Sequence, residues 1–143
     1  MSEPASTTQW LAANPPPDTA FKQSLAGVAR RTLAGEPFLL ATRELLDELA
    51  LLQTDQQRVR ALRDEPPLTG VDHQDAYLAA LGEHFALRFA LQRPSWVTRP
   101  ERFLERFWFQ SDVPGFRAIA IAQSPAAFRR RGIFIAAGAL ERC

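Results

Sequence analysis

The chain has 143 residues, 46% of them hydrophobic and 23% charged, with a formal net charge of +1 and one cysteine, Cys143. That length suits one domain able to bury a real core, and a lone cysteine excludes an internal disulfide framework. No apolar run reaches the roughly 18 residues a membrane span needs; no basic flank with an apolar run opens the chain, so a cytoplasmic location is expected rather than a secreted one.

The small net charge hides an asymmetry. Residues 1–84 carry seven Lys or Arg against twelve Asp or Glu, while residues 85–134 carry nine Arg against three acids. The basic half is also the aromatic half: from Trp96 to Ile135, phenylalanines and two tryptophans alternate with Arg99, Arg102, Arg106, Arg117, Arg129, Arg130 and Arg131.

In chain order, residues 1–17 are rich in Ser, Thr, Ala and Pro and lack periodicity, so they read as a flexible tail ahead of a single helical domain over 18–143. Trp10 and Leu11 are its sticky residues. A first helix is predicted from about Thr19 to Ala34, with Asp18 as N-cap, a stripe through Phe21, Leu25, Val28 and Ala29, and Gly35 as stop. A second follows over 37–53 through Phe38, Leu45, Leu49 and Leu52. Thr54 with Gln57 forms a capping box for a third, ending near Arg63. A fourth, about 73–91 with Asp72 as N-cap, places Tyr77, Leu78, Leu81 and Phe85 on one face, together with His84 and Arg88.

Thr98 and Glu101 form a second apparent capping box, and Pro100 suits a first turn, so a fifth helix is predicted through Phe103, Leu104 and Phe107. Ser111, Asp112 and Pro114 precede a sixth, nearly all-apolar helix to about Ala122. A helix apolar around its circumference is normally buried, so Phe107 and Ile119 are both expected in the core. Ser124 and Pro125 open a last helix to Arg131, which Gly132 stops. Ile133–Ile135 is a short extended segment. The fold class is all-α: six to seven helices and no strand alternation elsewhere.

Candidate chemistry is sparse. His73 and His84 would lie about 16 Å apart on one helix, too far to share a metal ion, so no metal site and no cofactor are expected. Neither Ser111 nor Ser124 lies in a nucleophile elbow; both read as helix caps. There is no glycine-rich phosphate loop. Glu44, Asp47 and Glu48 read as a solvated helix face. An arginine on an apolar face must be paired or solvated, so Arg88 should meet Asp112, Glu105 or a helix-end carbonyl, or else line a pocket with His84. Three consecutive arginines exceed what a helix dipole calls for, so Arg129, Arg130 and Arg131, with Trp96 and Trp108, are candidate partner-binding residues. Residues 38–63 can also be read as helix–turn–helix, with Gln56, Gln57, Arg58, Arg60 and Arg63 facing a DNA groove, although that half of the chain is acidic, which opposes phosphate contact.

The stretch RPERFLERFWFQSDVPGFRAIAIAQSPAAFRRRGIFI, with weaker matches in EPPLTG at 65–70 and the closing GALERC, resembles a group of small helical proteins from high-GC bacteria. The group keeps company with nucleotidyltransferase-type toxins, so the resemblance implies an antitoxin or accessory role. It brings no catalytic residues. The first expectation is therefore a non-enzymatic helical domain that binds another protein, such as a toxin encoded next to it, or a second copy of itself. A DNA-binding regulator using 38–63 is the second, and a small enzyme with a pocket at His84 and Arg88 the third.

Overall fold

The computed structural model describes residues 23–140. The tail at 1–17, Trp10, Leu11, Asp18, the first residues of the first predicted helix and Cys143 lie outside the described residues. Six α-helices occur among them: α1 (Leu25–Leu33), α2 (Phe38–Leu51), α3 (Asp55–Arg63), α4 (Asp72–Arg88), α5 (Gly115–Gln123) and α6 (Ala126–Arg129). Short 3-10 turns at Ser95–Thr98, Pro100–Arg102 and Ala137–Leu140, and two-residue strands β1 (Trp108–Phe109) and β2 (Ile133–Phe134), complete the chain. No helix among the described residues is long and apolar enough to cross a membrane.

The first three helices begin and end for local reasons. Ser24 caps α1 by accepting from the Gly27 amide, and Gly35, at φ +106°, turns the chain after it. Pro37 leads into α2, which buries Phe38, Ala41, Leu45, Leu46 and Leu49. Both arms of the Thr54–Gln57 capping box form at α3, satisfying two amides that the helix itself cannot.

Helix α4 is the axis of the fold. Every residue from Asp75 to Gly82 is buried, because small residues on its flanks let other elements approach. A Cβ built on Gly82 would stand 3.0 Å from Val97, 3.2 Å from Leu25 and 3.3 Å from Trp96. Leu25 and Val28 of α1, Leu45 of α2, Leu62 of α3, Phe128 of α6 and Ile133 of β2 share the core around α4. Asp75 accepts from the Thr69 amide and hydroxyl and so folds the 64–71 loop back onto the helix start.

The fifth predicted helix is absent. Thr98 donates to the Ser95 carbonyl instead of capping a helix, and the chain runs through two 3-10 turns into an extended segment. Amides in that segment find distant acceptors: Leu104 donates to Arg131, Trp108 to Gly132 and Gln110 to Phe134. These bonds make β1 and β2 a parallel pair, Trp108 opposite Ile133 and Phe109 opposite Phe134. The buried guanidinium of Arg102 holds the preceding turn, donating to the Pro66 carbonyl at 2.5 Å and the Asp75 carbonyl at 3.3 Å. Long-range pairing of these backbone groups overrides the local capping signal.

Two core expectations are also overturned. Phe107 is 76% exposed, and Ile119 is 42% exposed on a helix whose single buried residue is Ala120. The buried all-round helix is α4; α5 packs against β2 and buries one residue, Ala120.

Candidate functional site

The arginine triplet is built into the structure more than onto its surface. Arg131 is wholly buried. Its guanidinium donates to Glu83 Oε2 at 2.6 Å, to the Ala127 carbonyl at 2.8 Å and to the Val97 carbonyl at 2.6 Å, and lies over the Phe103 ring. Arg130 donates to Glu83 Oε1 at 2.7 Å, and Arg93 reaches the same oxygen at 3.1 Å. Arg129 donates to the Ile121 and Ser124 carbonyls at the end of α5, where a cation is favoured by the helix dipole.

Glu83 thus gathers three arginines on one largely buried carboxylate. Burial alone would push its pKa up, but hydrogen bonding and charge from Arg131, with Arg93 and Arg130, hold it below the ordinary carboxylate value. Arg131 is corrected from a partner-binding residue to a core ion-pair partner, since no surface ligand reaches it. Trp96 is corrected likewise: it is buried, and its indole N–H donates to the Leu62 and Arg63 carbonyls at the end of α3. Trp108 is half-buried, stacked on His73 at 4.4 Å between ring centres. Of the five proposed contact residues, Arg129 and Arg130 are exposed.

His84 and Arg88 also part company. The His84 ring is half-buried, edge-on to Phe85 and Phe128. Burial lowers its pKa, and the positive charge of Arg88 lowers it further. Arg88 is exposed and pairs with neither Asp112 nor Glu105. The inward-facing arginines of this protein are Arg102 and Arg131. One signal did point to Glu83 in the sequence. It is the acid nearest the middle of the most regular helix, in a chain whose second half has an arginine excess.

The two serines do not cap helices. Ser124 is buried; its hydroxyl donates to the Ile133 carbonyl at 3.0 Å and accepts from the Ile135 amide, pinning β2. Ser111 accepts from the Val113 amide in the turn before α5. In the 38–63 segment, α2 and α3 are joined by residues 52–54 as a helix–turn–helix reading requires. Several of its five candidate DNA contacts are already engaged: the Gln57 side chain in the capping box, Arg58 with Asp55 and the Leu52 carbonyl, and Arg63 with Asp64.

Exposed apolar side chains gather along α5 and its approach. Val113 is 53% exposed, Phe116 47%, Ile119 42% and Ile121 51%, with Phe107 close to β2 through an edge-on contact to Phe134. Arg117 lies over the Phe109 ring beside this surface. On a helical wheel, Phe116 and Ile119 flank one side of the Ala120 seam and Ile121 the other, so much of the helix circumference is apolar and open. No family model, curated protein or solved structure matches the chain.

Proposed function

We propose that this protein is a non-enzymatic helical domain that binds a second protein, and that α5 is the element it offers. The observation carrying this reading is the exposure of Phe116, Ile119 and Ile121 on a helix that buries only Ala120, with exposed Val113 just before it. Contiguous exposed apolar surface of this kind marks interaction sites in soluble domains, and a short apolar helix seated in a groove is a common recognition mode. Exposed Arg117 and Arg106 beside it favour a partner whose groove is apolar and rimmed by carboxylates.

The resemblance of the 99–135 stretch to toxin-associated proteins makes an adjacent nucleotidyltransferase-type toxin the partner of first choice, with an antitoxin or accessory role and a cytoplasmic location. The test is co-purification with the neighbouring gene's product, using the wild type and an Ile119→Asp variant. Partner capture by the wild type, lost in a variant with an unchanged melt, supports the reading. Equal capture by both overturns the assignment of α5. Self-association of the isolated chain that Ile119→Asp abolishes would replace the toxin by a second copy.

A further inference from the structure

At the opposite end of α4 from its start, a cleft of about 410 Å3 opens between α2, α3 and α4. Leu46, Leu49, Leu52, Phe85, Phe89 and Leu140 wall it. Two guanidiniums, Arg58 and Arg88, share the lining, and no acid does among the described residues. The volume falls in the range of small-molecule sites, which combine apolar walls with few charged groups.

The fold engages Arg58 and gives Arg88 no acidic partner in the lining. Arg58 lies over the Phe89 ring at 4.7 Å and spends its Nη groups on Asp55 and the Leu52 carbonyl, yet its buried Nε has no hydrogen-bond partner. The Nε atoms of Arg102 and Arg131 are buried without a partner in the same way, so the cation that this cleft leaves to a ligand is chiefly Arg88. Arg88 closes α4, where a cation suits the helix end; it is exposed at the mouth of the cleft, and no carboxylate in the lining pairs with it. Among the described residues the two most exposed leucines, Leu51 at 77% and Leu87 at 79%, lie at the ends of α2 and α4.

We propose that this cleft binds a single-chain carboxylate amphiphile, of which a medium-chain fatty acid is the simplest. The carboxylate takes charge-assisted hydrogen bonds chiefly from Arg88, and the alkyl chain lies against the leucine and phenylalanine walls. This site is separate from the apolar helix α5 and stands whether or not that helix binds a protein.

The experiment is a calorimetric titration of the full chain with decanoate below its micelle threshold, with decanol as the uncharged comparator. Saturable one-to-one binding is expected, with decanol weaker by about tenfold or more, since the charged hydrogen bonds are lost. Arg88→Gln should weaken decanoate roughly tenfold and leave decanol unchanged. Ala50→Trp, at an exposed position in the lining, should block both ligands by filling the cleft. Both variants change exposed residues, and unchanged melts verify that they fold. No saturable binding of decanoate, equal binding of decanoate and decanol, or an unaffected Arg88→Gln titration would each overturn the proposal. Sedimentation with phosphatidylglycerol vesicles separates a free ligand from a lipid surface. Binding to vesicles without binding to monomeric decanoate also overturns it.

Discussion

Removing the Glu83 side chain should be among the most damaging single changes in this protein. In Glu83→Ala, Arg93 and Arg130 are about half exposed and can rehydrate, so each of those contacts contributes about 0–1 kcal/mol. Arg131 cannot. It is 0% exposed and would keep only the Ala127 and Val97 carbonyls as acceptors for a full positive charge. Stranding one partner of a buried ion pair costs about 3–5 kcal/mol, against a total stability of about 5–15 kcal/mol. The expected loss is therefore about 3–5 kcal/mol in urea unfolding, with Tm falling on the order of 10–20 °C. Arg93→Ala and Arg130→Ala should each lose about 1 kcal/mol or less. Replacing both members, Glu83→Leu with Arg131→Met, should recover much of the loss, because the unpaired charge goes too. A Glu83→Ala variant within about 1 kcal/mol of wild type, or single variants at Arg130 and Glu83 of equal cost, would refute the claim that the buried Arg131 charge dominates.

Acidification should expose the same group. The folded Glu83 pKa is depressed, so its contribution is complete above the ordinary value of 4.5 and is lost as pH falls through the folded value; Glu83→Ala should lack that part of the acid-induced loss. His84 is also depressed, from 6.5, so the folded state resists its protonation, and His84→Phe should flatten the stability profile just below that pH. Gly82→Val should cost about 1–3 kcal/mol through overpacking, since Val97, Leu25 and Trp96 are buried and have no room to withdraw; a neutral result in chemical denaturation would mean they do. Ile119→Ala, in contrast, should stay within about 0.5 kcal/mol of wild type, as exposed sites do.

Where the sequence spoke clearly, the signals were local and the chain obeyed them. Pro37, the Thr54–Gln57 capping box and Asp72, together with apolar spacing, place α2, α3 and α4 within a few residues of their observed limits, although Asp72 is the first helical residue of α4 and Val71 its N-cap. The failures lie between Thr98 and Ser124, where local and distant demands conflict. Thr98, Pro100 and Glu101 look like a helix start, but the amides of Leu104, Trp108 and Gln110 are claimed by the carbonyls of Arg131, Gly132 and Phe134, more than twenty residues away. The all-apolar α5 was expected inside because hydrophobicity reports a preference for burial without naming who provides it. The burial of Arg131 was not legible either. A triplet of arginines looks like surface until one knows that Glu83 comes within 2.6 Å of its last member.

The parallel pairing of Trp108 with Ile133 and Phe109 with Phe134 has an evolutionary consequence. It clasps the two ends of the excursion that carries α5, so the body of the protein is anchored on either side of that helix and asks little of it. Substitutions in α5 are then nearly free of a folding constraint. On the proposed reading they are free to follow the partner's surface, whereas changes at Glu83, Gly82 or the clasp would carry a folding cost. If α5 is the binding element proposed above, its specificity could be rewritten within nine residues, Gly115–Gln123, and the rest left alone.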